Sequence, residues 1–408
     1  LKYRLFSIAA ALFFLLVSPC FTAAAAAPLA EKYKGEGFSF SLPANYRPDE
    51  PPSGDGTFFA FSSPYSTLKV FVQELSSRVR AETYIEYSNR QLYLGKAGFS
   101  LRQKQNKTVN GYRTTALVYS RPPLASLGND RNYYREVHVT GKRKNMVVTF
   151  WAKASQDYYL LLEKDLELAV QSFLESTKPL PGKAPARTAL VSPHIRYTGK
   201  KVTLEIPPGE VVWGRFCPGV PFNADSYDRM LDSEVRLNHK FEFLMTYCRF
   251  PDNKPFPAEA IENVYRDGRV LMLTLQPFDG KTDWVAIPEI IDGKYDAIIK
   301  EWAEGLKKIG EPVFIRPLNE MNGDWDPWCA WFYGKDTDLY VLAWRHIVDI
   351  FKETGTSNAL FVWNPHDRSY PDFEWNDPQR YYSGRRLCRL DRPDRLQQRN
   401  KPSCGYLA

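Results

Sequence analysis

The chain has 408 residues, 44% hydrophobic and 25% charged, which is the make-up of a globular protein long enough for two domains and excludes a disordered one. Its net charge of +7 is lopsided, because after Gly384 six Arg and Lys401 face only Asp391 and Asp394. The remainder is close to neutral and has no basic patch interleaved with aromatic residues, so no nucleic-acid function is expected.

At the start, Lys2 and Arg4 precede an apolar run over residues 5–17 and an Ala-rich segment over 23–27. This is the pattern of a secretory signal covering residues 1–27. Its apolar part is shorter than the roughly 20 residues of a spanning helix, so no stable membrane insertion is expected after cleavage. Pro19 stands where a small residue would precede a lipidated cysteine, which argues against lipid attachment at Cys20.

Residues 31–178 read as an α+β sandwich domain. Alternation and β-branched or aromatic content predict strands at 38–42, 57–62, 68–74, 112–119, 133–140 and 144–154. Helices are expected at 81–97 and 160–176. The phrase Gly37-Phe-Ser-Phe-Ser-Leu-Pro43, the turn Val109-Asn-Gly-Tyr112 and the closing helix resemble the Mog1/PsbP-like fold. No paired carboxylates, metal cluster or nucleophile stands out in this half. The Pro-, Lys- and Ala-rich residues 179–205 read as a linker.

From residue 206 to 384 strands and helices alternate. Strands are expected at 211–216, 241–247, 270–276, 312–316 and 359–363, and helices at 258–267, 295–309 and 339–353. Strands apolar on both faces with helices between them suit the start of a (β/α)8 barrel in the α/β class. The absence of a Gly-rich phosphate loop disfavours an open doubly wound sheet. Cys217 and Cys248 fall at the ends of adjacent strands and are the best candidates for a disulfide, with two free thiols as the alternative.

The strand at 312–316 runs into Pro-Leu-Asn-Glu, which puts Glu320 at a strand's carboxyl end, where barrel active sites are built. Arg316, Asn319, Asn322, Asp324, Trp325 and Trp328 crowd around it in sequence. One carboxyl, several amides and two indoles are what cleavage of a glycosidic bond asks for: an acid for the leaving oxygen, amides for hydroxyls, and aromatic faces for sugar rings. The bland reading makes Glu320 a helix-terminal carboxylate and the indoles core.

Four stretches in order carry a more specific likeness: Ile291-Asp-Gly-Lys-Tyr-Asp-Ala-Ile-Ile-Lys-Glu-Trp-Ala303, Phe314-Ile-Arg-Pro-Leu-Asn-Glu-Met-Asn-Gly-Asp-Trp-Asp-Pro-Trp328, Tyr340-Val-Leu-Ala-Trp-Arg-His-Ile-Val-Asp-Ile-Phe351 and Phe361-Val-Trp-Asn-Pro-His366. Together they resemble glycoside hydrolase family 26, which holds β-mannanases, lichenases and xylanases. The resemblance implies a secreted retaining endo-β-glycanase on a (β/α)8 barrel, with a mannan or related β-linked polysaccharide as substrate and no cofactor or metal. It makes Glu320 the general acid/base and assigns substrate contacts to Arg316, Asn319, Asn322, Trp325, Trp328 and Trp363. Asn319 stands where many members have His, which leaves the sugar open. His346 is expected to be structural.

A retaining enzyme also needs a nucleophilic carboxylate about 5–5.5 Å from the first. The family draws it from strand 7, whereas the chain is expected to reach only about strand 5. Glu353 and Glu374, the Glu residues downstream of Glu320, are not placed for the task. Residues 385–408 lack apolar periodicity, and permitted codons for 385–399, shifted by one base, read Asp-Asp-Tyr-Val-Asp-Trp-Ile-Gly-Leu-Thr-Ala-Tyr-Asn-Asn, which resembles a strand 6 phrase of the family. A frameshift at or just after Gly384 and an inactive, truncated barrel are therefore expected. The alternatives are a non-catalytic carbohydrate-binding or cell-surface protein on a degenerate barrel, and a functional N-terminal domain with the barrel as passenger.

Overall fold

A computed structural model describes residues 30–35, 37–49, 56–142, 145–176, 212–250, 255–277 and 286–382, together with the backbone of 194–198 and 201–205. The signal segment 1–27 and the tail 385–408 lie outside the described residues, as does most of the linker.

The N-terminal half is built on a seven-stranded antiparallel sheet. Its strands are β3 (Arg47–Pro48), β4 (Phe58–Ser62), β5 (Ser66–Glu74), β6 (Ser100–Val109), β7 (Tyr112–Ser120), β8 (Tyr133–Thr140) and β9 (Met146–Ala154). They lie in the order β3-β4-β5-β9-β8-β7-β6. A smaller sheet joins β1 (Glu31–Gly35), β2 (Phe38–Leu42) and β10 (Leu174–Glu175), with β2 in the middle. Helix α3 (Tyr159–Gln171) and β2 cover one face of the large sheet, where Phe38, Phe40, Val148, Phe150, Ala152, Leu162, Leu166 and Phe173 form one core.

Residues of a strand alternate between faces, so burial of every residue in a strand means that both faces are covered. All nine residues of β9 are buried. Val148, Phe150 and Ala152 point to the α3 side, while Trp151 belongs to the core that continues into the C-terminal half. The seven-stranded sheet is thus enclosed between its own helix and the second half of the chain.

The expected helix at 81–97 is broken into α1 (Ala81–Ser88) and α2 (Arg90–Tyr93). At the break, the buried Asn89 amide donates to the Ile85 carbonyl at 3.0 Å and lies 3.2 Å from His138 Nε2. Tertiary hydrogen bonding wins over helix continuation there. Gly95, at φ 64°, then turns the chain away.

In the C-terminal half five parallel strands lie side by side in chain order: β13 (Gly214–Phe216), β14 (Phe243–Phe250), β15 (Val270–Pro277), β16 (Val313–Pro317) and β17 (Ala359–Phe361). The hairpin β11 (His194–Thr198) and β12 (Lys201–Glu205) precedes them. Between the parallel strands run α4 (Ala224–Leu237), α5 (Ala258–Arg266), α6 (Ala286–Ile291), α7 (Asp296–Ile309) and α8 (Thr337–Thr354). Helix α7 buries Ile299, Ala303 and Leu306 and ends at Gly310 in the left-handed region, with Lys307 and Lys308 at the negative end of its dipole. The Asp336 side chain caps α8 by accepting from the Asp338 amide.

Helix α4 has no counterpart among the sequence-based expectations, because Ser226, Met230 and Ser233 are its buried residues and Met230 is the sole large apolar one among them. Cys217 and Cys248 are free thiols, not a disulfide, and burial raises the Cys248 thiol well above its ordinary value. Among the described residues, no helix is long and apolar enough to cross a membrane.

The two halves meet at the turn Gly334-Lys335-Asp336, which enters the sheet face opposite α3. The Trp151 indole and the Tyr119 hydroxyl donate to the Gly334 carbonyl at 3.0 and 3.1 Å. Lys335 pairs with the fully buried Glu136 at 2.8 Å and donates to Asn89. Asp336 accepts from Lys153 at 2.8 and 3.0 Å and from the Tyr134 hydroxyl at 2.8 Å. Burial alone would raise the Glu136 carboxyl, but Lys335 and His138 hold it down at about 2.

Candidate active site

The parallel sheet delivers three polar groups at the carboxyl ends of β15 to β17. In the register of the sheet Arg316 lies beside Thr274. Its Nε donates to the Thr274 hydroxyl at 2.8 Å and its Nη1 to the Asn364 side-chain carbonyl at 3.0 Å. Its guanidinium also stands 5.5 Å from the centre of the Tyr247 ring. Gln276, near the end of β15, donates to the Asn319 side-chain oxygen at 3.2 Å. Strand β16, which carries Arg316, is thereby pinned on both sides where the chain leaves the sheet.

Directly after β16 the backbone adopts left-handed φ at Leu318 (52°) and at Glu320 (56°). Non-glycine residues there cost of order 1 kcal/mol or more each and persist only where neighbours over-determine them. The neighbours are present. The Leu318 amide donates to the Leu275 carbonyl at 3.2 Å, and the Leu318 carbonyl accepts from the Tyr340 hydroxyl at 3.2 Å. The Glu320 amide donates to the Asn364 carbonyl at 2.7 Å, and the Glu320 carbonyl accepts from the Gly323 amide at 2.9 Å. Glu320 itself is half-buried.

The residues around Glu320 divide by exposure. Trp325 is 42% exposed and shares an aromatic cluster with His366 and Tyr370, whose ring centres lie 5.0 and 5.6 Å away. Asn322 and Trp328, by contrast, are fully buried. The Asn322 amide nitrogen donates to the His366 carbonyl at 3.1 Å and the Ser369 hydroxyl at 3.2 Å, while its side-chain oxygen accepts from the His366 amide at 2.8 Å. The Trp328 indole donates to the Asn319 carbonyl at 2.6 Å. Asn319 itself is 2% exposed. Trp363 is buried two residues beyond β17, its ring 5.3 Å from that of Tyr382. Of the sequence-nominated residues, Arg316, Glu320 and Trp325 keep some exposure, and Asn319, Asn322, Trp328 and Trp363 are enclosed.

Asp326 was not singled out by sequence. Burial, together with the charge of nearby Glu320, pushes its carboxyl from 3.8 up to about 7, against a smaller opposing effect of Arg249. At neutral pH a large fraction of Asp326 is therefore protonated beside Glu320. Its signal in the sequence was an acidic residue between two Trp that belongs to no helix face. His366 was legible only in part, as the end of the quoted Trp-Asn-Pro-His phrase, and Tyr370 was not. His346 pairs with Asp296 at 2.7 Å on the outer helices, away from this site. Among the described residues, no group of three or more His, Cys, Asp or Glu is placed to hold a metal ion.

Residues 285–387 match the sequence profile of glycosyl hydrolase family 26. Endoglucanase H of Acetivibrio thermocellus is 39% identical over 103 residues, which is 25% of this chain and 11% of that protein. A mannan endo-1,4-beta-mannosidase of Bacillus subtilis is 36% identical over 87 residues, 19% of this chain and 24% of that protein. The chain thus spans about a tenth and about a quarter of the lengths of these two relatives. Among solved structures, the cyanobacterial PsbP protein of Synechocystis covers 38% of the chain and 95% of its own length, at 14% identity and a TM-score of 0.28.

Proposed function

We propose that the C-terminal half is the sugar-binding and acid/base part of an exported retaining β-glycanase, most simply a β-mannanase, with Glu320 as the general acid/base. The observation that carries this reading is the placement of Glu320: a half-buried acidic residue on a strained turn at the carboxyl end of a parallel strand, with the exposed indole of Trp325 in the same loop. The family match over residues 285–387 and the mannosidase relative support the substrate class, a β-1,4-linked polysaccharide. Five parallel strands in chain order are the start of a (β/α)8 barrel.

In this reading Trp325, with Tyr370 beside it, offers an apolar ring face to a pyranose, and Arg316 and Gln276 orient polar groups at the sheet's rim. Asn322 and Trp328 act on the substrate through the loop, by fixing its shape. As general acid, Glu320 gives its proton to the glycosidic oxygen as the bond to the leaving sugar breaks. The partner reaction needs a carboxylate nucleophile. Among the described residues, Glu353 is exposed at the far end of α8, and the Glu374 amide is bonded to the Gln73 side chain of the N-terminal half. Asp326, with a carboxyl raised to about 7, is protonated in about half of the molecules at neutral pH and is a poor nucleophile. In this reading the described part of the chain binds β-glycan without turning it over.

The test is titration of β-1,4-manno-oligosaccharide into the 408-residue chain, followed by indole fluorescence, alongside an assay for released reducing ends. Saturable binding weakened about fivefold by Trp325→Ala, equivalent to about 1 kcal/mol of ring contact, is the expected result. No saturable binding of any β-glycan overturns the reading. Hydrolysis abolished by Glu320→Gln would uphold the acid/base assignment and refute the lack of turnover.

A further inference from the structure

The N-terminal sheet face opposite α3 carries Tyr134, Glu136 and His138 of β8 and Thr149, Trp151 and Lys153 of β9, all buried. A free sheet face would turn such groups to water, and burying them unpaired is costly. Here three groups of the turn Gly334-Lys335-Asp336 are recognised by the N-terminal half. Its carbonyl meets Trp151 and Tyr119, its ammonium meets Glu136 and Asn89, and its carboxylate meets Lys153 and Tyr134. Size is read as well. Gly334 has φ +60°, and a Cβ there would lie 2.9 Å from the rings of Phe99 and Tyr119. Lys335 is held at φ 65°, a conformation that needs support for a side-chain-bearing residue.

This turn is also the far end of the loop that begins at Glu320. Cys329 Sγ is 3.7 Å from the Glu320 carbonyl, and the short helix Ala330–Tyr333 then leads straight into Gly334. The Lys335 amide donates back to the Ala330 carbonyl at 3.0 Å. A second contact closes the other flank: the Trp375 indole donates to the Ser88 hydroxyl at 3.0 Å, and Asn376 donates to the Asn322 carbonyl at 2.8 Å.

We infer that Gly334–Asp336 is a latch read by the N-terminal sheet, and that the N-terminal half is the positioning domain for the Glu320 loop and not a separate ligand-binding module. The sheet face has its occupant, a segment of this same chain, seated on it. Glu136 and Lys153 are positioning residues, since they act on Glu320 only through the turn they hold. The functional part of the inference rests on the glycan-binding reading, while the latch itself does not.

The experiment is hydrogen exchange read by mass spectrometry on the full chain, with Lys335→Met and with Gly334→Ala, which keeps every charge. Exchange over residues 318–333 should accelerate about tenfold or more, while β14, remote from the latch, keeps its protection. Affinity for manno-oligosaccharide should fall in step. Should these two variants not fold, Glu136→Gln, which keeps shape and hydrogen-bonding groups, supplies the same readout. Unchanged exchange over 318–333 in a folded variant overturns the latch, whatever the glycan affinity does. Accelerated exchange in a chain whose parent binds no β-glycan upholds the latch and overturns the glycan reading instead.

Discussion

Asp326 shows how one side chain's surroundings set its charge. Its folded carboxyl titrates near 7 and an unfolded one near 3.8, so folding favours the protonated form. Stability from this group is fully present below about pH 4 and is lost as pH rises through about 7. Partial exposure limits the loss to the order of 1 kcal/mol. Asp326→Asn should reduce this decline, so that the variant loses less stability than the parent between pH 5 and pH 8 in urea unfolding. A variant that weakens just as the parent does would place the titrating group elsewhere. The same residue marks a limit of sequence reading. Glu320 was legible from its place after an apolar strand, whereas the protonation of Asp326 depends on burial and on Glu320's charge, neither of which the chain displays locally.

At the scale of elements, the loop 318–333 is shaped by side chains that never reach its surface. Asn322 makes three side-chain hydrogen bonds to the segment 366–369, and its carbonyl accepts from Tyr370 and Asn376. Replacing it with Ala would take a partner from the part-buried His366 amide and carbonyl and from the buried Ser369 hydroxyl. A loss of about 2–4 kcal/mol is expected for Asn322→Ala, measured as a shift of the urea midpoint at unchanged slope. A loss under about 0.5 kcal/mol would mean that water replaces the amide.

Most strands and the helices α5, α7 and α8 were readable, because their apolar residues recur at the spacing of one buried face. Helix α4 was not, since its face is buried through serines. Strand β6 was not either, being a polar run exposed along nearly its whole length, with β7 as its one strand neighbour in the sheet. The burial of Glu136 and His138 ran against their polarity. The turn that pairs with Glu136 lies about 200 residues away in the chain, while Asn89 and Thr149 meet the His138 ring.

Over the whole molecule, the latch makes the connection between the halves a matter of surface and not of chain. Buried ion pairs of this kind discriminate sharply against a missing partner, because removing one member leaves the other charge dry. A protease site engineered into residues 179–193 should therefore yield two polypeptides that still elute as one particle in size-exclusion chromatography. Elution as two separate species would show that the linker, and not the latch, keeps the halves together. The turn Gly334-Lys335-Asp336 works as a password carried by the C-terminal half and checked by the N-terminal sheet. Another parallel sheet transplanted next to this N-terminal half without those three residues would be a neighbour, not a partner.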